Sequence, residues 1–128
     1  MHEGEADFTL TFRHLRDAAA EESGDEMVNL FSRPEPVREW LVQWRERIVQ
    51  LDGGPQAATD LMKKVNPVFI PRNHRIEEVI VAGEEKKFEP FHRLHRVLQN
   101  PYEEQPDALE YESAPKPDEV VCNTFCGT

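Results

Sequence analysis

Cys122 and Cys126 are the residues with the most chemical potential in this chain, and they are its only two cysteines. Both fall in the last seven residues, separated by Asn123, Thr124 and Phe125. A thiol near a flexible terminus can reach distant partners, as a redox or resolving cysteine must. The pair is not a Cys-x-x-Cys motif, and a tail imposes no fixed geometry on it. Asp118 and Glu119 nearby raise a thiol pKa and blunt its reactivity. On residue types alone, an inert terminal thiol and a reactive one fit equally well.

His92 and His95 are three apart, which on a helix places both imidazoles on one face, as metal ligands require. No HExxH context surrounds them, and His14 and His74 are distant in sequence, so the expectation is surface or packing histidines. No GxxxxGK[ST] or GxGxxG segment is present to cradle a phosphate, and no GxSxG to present a nucleophile. The acidic pairs Glu21-Glu22, Glu84-Glu85 and Glu103-Glu104 are adjacent, so their side chains diverge and read as solvation. One basic stretch stands out. Lys63, Lys64, Arg72 and Arg75 occur with no acid between Lys63 and Arg75.

The 128 residues make one domain's worth of chain. Fifteen Lys and Arg against 25 Asp and Glu give a formal charge of −10, which repels phosphate backbones and anionic membranes. Neither nucleic acid nor a membrane is an expected partner. No apolar run approaches the ~20 residues of a membrane span, and the acidic N-terminus lacks a signal-peptide layout. A soluble, intracellular protein is the expectation. With no cysteine in the body, the core must stand on packing alone.

The elements that would position these groups are helical. Phe8, Phe12, Leu15 and Ala19 recur at helical spacing behind Asp7, a suitable N-cap. Met27, Val28, Leu30 and Phe31 form a short helix before Pro34. Next, Val37, Trp40, Leu41, Trp44, Ile48 and Leu51 make one apolar stripe from Pro34 or Pro36 to Asp52-Gly53-Gly54. Both tryptophans are expected in the core. Pro55 opens a helix carrying Ala58, Leu61, Met62 and Val65.

Pro67 and Pro71 then bracket an extended connector with an apolar plug, Val68, Phe69 and Ile70. Asn73 is placed to cap the following helix (Ile76, Val79, Ile80), and Gly83 to end it. A last helix carries Phe88, Phe91, Leu94 and Leu98 and closes at Asn100-Pro101. No period-two alternation predicts a strand. The expected fold is all-α: five to six amphipathic helices over residues 1–100, followed by an extended, acidic, proline-punctuated tail over 101–128. Tyr102, Leu109 and Tyr111 are its candidate anchors.

Three blocks are recognisable: NPVFIPRNHRIEEVI from Asn66, LQNPYEEQP from Leu98 and TFCGT from Thr124. In order and spacing they resemble the C-terminal end of the selenoprotein O (YdiU-like) family. DFTLTFRHL from Asp7 and the Trp40–Arg47 helix are similar to what precedes those blocks there. The resemblance implies that the chain is a fragment, with Met1 an arbitrary starting point. It implies a larger protein whose kinase-like body binds ATP with inverted phosphates, uses Mg²⁺ or Mn²⁺, and transfers AMP to Ser, Thr or Tyr hydroxyls of proteins. The residues for that chemistry lie upstream, so no catalytic, cofactor or metal residue carries over.

One position does carry over. The family has a selenocysteine or cysteine third from its end, here Cys126, which the resemblance implicates in redox behaviour. Gly127-Thr128 differ from the two serines common in other branches, and Cys122 has no counterpart. The chain is therefore expected to be a non-catalytic helical region, inactive alone, that packs on and redox-regulates the kinase-like body. Lys63, Lys64, Val68, Phe69, Ile70, Arg72 and Arg75 are the expected contact residues. The family's location implies cytoplasm for a bacterial member and mitochondria for a eukaryotic one. The alternative is a free-standing helical interaction module with a redox-active thiol tail.

Overall fold

In a computed structural model that describes residues 6–20 and 24–121, the described residues form six α-helices and no strand. They are α1 (Phe8–Ala18), α2 (Asp25–Val28), α3 (Pro34–Val49), α4 (Gly54–Val65), α5 (Asn73–Glu84) and α6 (Glu89–Leu98). A 3-10 turn follows at Leu109–Tyr111. The all-α expectation holds. Two units divide the chain, Met1–Val68 and Phe69–Thr128.

In the first unit the helix starts are written locally. The Asp7 carboxylate accepts a hydrogen bond from the Leu10 amide at 2.8 Å, satisfying one of the orphan donors of α1. α3 and α4 begin on Pro34 and Gly54-Pro55, where a missing N–H costs nothing. Leu15, Ala18, Met27, Val28 and Leu41 form the core, with Phe12, Phe31, Val37, Trp44 and Met62 packed against it. Val28 and Leu41 are fully enclosed, each worth roughly 1.5–3 kcal/mol of apolar burial.

Beside the Arg38–Asp25 ion pair at 2.7 Å, side chains of this unit tie helices together by donating to backbone carbonyls. Arg45 Nε donates to the Ala18 carbonyl at 3.0 Å. Thr59 Oγ1 donates to the Arg16 carbonyl at 3.4 Å, and Asn66 Nδ2 to the Phe12 carbonyl at 3.4 Å. Gly24 is needed where it stands. Its φ is +62°, and a Cβ there would lie 2.6 Å from Leu41 Cδ2.

The core is narrower than the α3 stripe predicts. Leu41 and Ile48 are buried, but Trp40 is 45 % and Leu51 57 % exposed. The two indoles stack at 5.9 Å with 17° between their planes, so Trp40 covers its partner and leaves its own outer side open. On α4 the same holds: Leu61 and Val65 are exposed, and Thr59 and Met62 pack inward.

In the second unit α5 pairs with α6. Both termini of α5 differ from the sequence expectation. The N-cap is Arg72, at φ −67° and ψ 135°, and its carbonyl takes the first helical bond from Ile76 N at 3.0 Å. Asn73 is already inside the helix and does not cap it. Gly83 also stays helical, and the left-handed residue is Lys86, at φ 63°. Lys87 N bonds the Ala82 carbonyl at 2.8 Å and Lys86 N the Gly83 carbonyl at 2.9 Å. That pair is a Schellman closure, built here on a lysine. On α6 the buried residues are Leu94 and Val97, while Phe88 and Phe91 are exposed.

Candidate functional site

Residues 101–121, which composition marks as a tail, are fastened to α5 and α6 by side chains that meet at Tyr111. The Arg75 guanidinium lies 5.8 Å from the centre of the Tyr111 ring and that of Arg93 5.7 Å. Both are within cation–π range. Each arginine also holds tail backbone. Arg75 Nη2 donates to the Glu110 carbonyl at 2.9 Å and Arg93 Nη2 to the Asp107 carbonyl at 2.8 Å. Arg93 further pairs with the Glu110 carboxylate at 2.7 Å.

Arg75 is itself aimed by Glu78, one turn along α5, through contacts of 2.7 and 2.9 Å from Nη1. That hydrogen bond keeps the guanidinium firmly protonated, against a smaller opposing effect of burial. Burial raises the Tyr111 hydroxyl above its ordinary pKa, so the ring is neutral at physiological pH. Gln105 Nε2 closes the start of the tail onto α6, donating to the Val97 and Asn100 carbonyls at 3.0 and 3.1 Å. The Phe69 amide donates to the Pro101 carbonyl at 3.0 Å.

Beside this clasp runs a groove of about 670 Å³ whose lining includes His74, Glu77, Glu85, Asp118 and Glu119. His74 is 5 % exposed, and its Nε2 has no hydrogen-bond partner. Burial, reinforced by Arg75, holds its pKa below the ordinary 6.5. The imidazole is therefore neutral near pH 7 despite the carboxylates around it. Glu119 accepts from the Lys116 amide at 2.9 Å, which lowers its pKa.

Of the residues singled out from sequence, Cys122 and Cys126 lie outside the described residues. His92 and His95 are exposed on α6 and pack around Phe91, 5.6 and 6.0 Å from its ring. Among the described residues no group of three or more His, Cys, Asp or Glu side chains could hold a metal. No described helix is long and apolar enough to cross a membrane.

The basic stretch is divided between the units. Lys63 and Lys64 are exposed on the last turn of α4, and Val68 is buried at the end of the first unit. Phe69 and Arg72 are buried in the second, Ile70 is half-buried, and Arg75 serves the clasp. Of the expected tail anchors Tyr111 is one, while Tyr102 and Leu109 are about half exposed or more. Arg93 gave no sequence signal for this role, because its partners Asp107 and Glu110 lie far along the chain.

The profile of the family described as Protein adenylyltransferase SelO matches residues 1–99. Proteins named Protein nucleotidyltransferase YdiU resemble the chain throughout. That of Bradyrhizobium sp. (strain ORS 278) is 50 % identical over 126 residues, 96 % of this chain and 25 % of its own length. Those of Nitrobacter hamburgensis and Rhizobium meliloti are each 46 % identical across 100 % of the chain and 26 % of their own length. The chain spans about a quarter of the length of these curated relatives. With its profile match and this identity, the chain belongs to the SelO protein adenylyltransferase family.

Proposed function

We propose that this chain is the non-catalytic helical region of a protein adenylyltransferase, serving the larger enzyme as a packed scaffold and a carrier for Cys126. The larger enzyme transfers AMP from ATP to Ser, Thr or Tyr hydroxyls of proteins, and ATP with Mg²⁺ or Mn²⁺ is held by its kinase-like body. This chain's own described side chains do other work: the carboxylate of Glu78 aims Arg75, and Arg75 with Arg93 fastens the tail. The observation that carries the reading is the family match over nearly the whole chain, by a sequence spanning only a quarter of each relative. A bacterial member would act in the cytoplasm.

In this reading the clasp holds the tail between Gln105 and Tyr111, and Cys122 and Cys126, further along, serve as a thiol arm that answers to redox state. The test is transfer of label from α-labelled ATP to protein. The longer protein should label its targets, and the 128-residue chain alone should not. Activity of the longer protein should differ between reducing and oxidising buffer, and Cys126→Ser should remove that difference. Label transfer by the chain alone would overturn the scaffold role. A redox response that survives Cys126→Ser would overturn the thiol arm.

A further inference from the structure

Between α1, α2 and α3 the first unit has a groove of about 400 Å³, floored by Leu15 and Met27 and walled by Phe12, Phe31, Trp40 and Trp44. Its lining is apolar apart from Thr11, and Thr11 is buried with its hydroxyl already donated to the Asp7 carbonyl at 2.7 Å. A small-molecule site needs a few convergent polar groups to orient its ligand. This groove offers none. Apolar protein side chains are what it fits.

The outer wall is preformed. Trp40 stacks on Trp44 at 5.9 Å and 17°, so a flat indole with little rotamer freedom to lose stands 45 % exposed at the groove mouth. Rigid aromatics of this kind anchor interfaces. As to what covers it, relatives that match this chain from end to end are about four times its length. In them this helical module is one part of a much longer chain.

We propose that the Phe12–Phe31–Trp40–Trp44 groove is the seat for the kinase-like body that precedes this chain in the longer protein, received as apolar side chains inserted beside Trp40. This rests on the reading that the chain is a part of such an enzyme. No residue of the basic stretch or of the Val68–Ile70 plug lines the groove. Val68 and Phe69 are already covered within this chain, whereas Trp40 is not.

Hydroxyl-radical footprinting read by mass spectrometry at Trp40 tests it, on the 128-residue chain and on the longer protein. Trp40 should oxidise about tenfold more slowly in the longer protein, the loss expected when a half-exposed anchor becomes enclosed. Trp40→Lys loses the stack on Trp44 and should lower the melting temperature of the 128-residue chain only modestly, since the ring is already 45 % exposed there; the drop should be larger in the longer protein. There it should also increase oxidation at Trp44. Equal Trp40 oxidation in both proteins overturns the proposal. So does Trp40 protection in the 128-residue chain that rises with concentration as the mass doubles, which would make a second copy the occupant. Label transfer from ATP is measured on the same samples. Protection without transfer refutes the enzymatic reading and keeps the docking face, and transfer without protection does the reverse.

Discussion

Removing the Tyr111 ring should release the tail from α5 and α6, and the contributions to that release can be separated. Two guanidiniums sit 5.8 and 5.7 Å from the ring centre, and each contributes about 0.5–1 kcal/mol at a partly exposed site. The half-buried ring hides on the order of 100 Å² of apolar surface, worth ~2.5 kcal/mol at 25 cal/mol per Å². A compact unfolded tail already hides part of that area, which brings the sum for Tyr111→Ala to about 3 kcal/mol. Tyr111→Leu keeps most of the apolar contact and loses both cation–π interactions, so its cost is about 1–2 kcal/mol.

Native-state hydrogen exchange reads both numbers at the Ala108 amide, which is bonded to the Gln105 carbonyl at 2.9 Å beneath the turn that carries Tyr111. At 1.4 kcal/mol per factor of ten, Tyr111→Ala should speed exchange there about a hundredfold and Tyr111→Leu about tenfold. The amides at the core of the first unit should be unaffected. Wild-type exchange in Tyr111→Leu would show that the arginines hold only backbone and contribute nothing through the ring. Wild-type exchange in Tyr111→Ala would refute the clasp.

The pKa of His74 is lowered by burial and by Arg75 and Arg72, against the opposing pull of Glu119 and Glu78. The unfolded chain therefore binds the proton first. Stability should be complete above about pH 6.5 and decline as pH falls from there through the lowered folded value. Urea unfolding at pH 7.5 and 5.5 should show a smaller loss in His74→Gln than in the wild type, and equal losses would refute this. Gly24→Ala adds a Cβ 2.6 Å from Leu41 Cδ2, where Leu41 is only 2 % exposed. With the strain of a φ of +62° included, it should cost about 2–4 kcal/mol in denaturant unfolding. Lys86→Gly relieves a lysine held at φ 63° and should stabilise by up to ~1 kcal/mol, as a rise in melting temperature.

What the sequence made legible is whatever depends on neighbours in the chain. Asp7 caps α1 because its oxygen reaches an amide three residues on, and Pro34 and Pro55 mark helix starts because the ring fixes φ locally. The ends of α5 failed where type and conformation part company. Asn73 and Gly83 are the preferred cap residues, yet the backbone leaves the helix at Arg72 and Lys86. Two bonded carbonyls, those of Ala82 and Gly83, favour a left-handed lysine over an earlier stop at the glycine. The α3 stripe likewise reports which residues share a face, not how far a neighbouring helix extends over it. That is why Leu41 is covered and Trp40, one residue earlier, stands open.

The clasp was the least legible feature, for a reason that also says where it is vulnerable. A proline-punctuated acidic stretch reads as tail because it lacks the apolar content for a core of its own. The structure orders it with arginines from the helices, donating to tail carbonyls 35 residues away at Glu110 and 14 away at Asp107. A carbonyl is present whatever the side chain, so such acceptors leave no mark in composition or periodicity. Tyr111, the Glu110 carboxylate and the Gln105 amide take part through side chains. It follows that Asp107 and Leu109, exposed in this stretch, tolerate most substitutions, while Ala108, 1 % exposed, admits no larger side chain and the fastening fails at Arg75 and Arg93. Lysine at either position would keep the charge and lose the planar fork that meets ring and carbonyl together. The residues that govern the tail are therefore on α5 and α6.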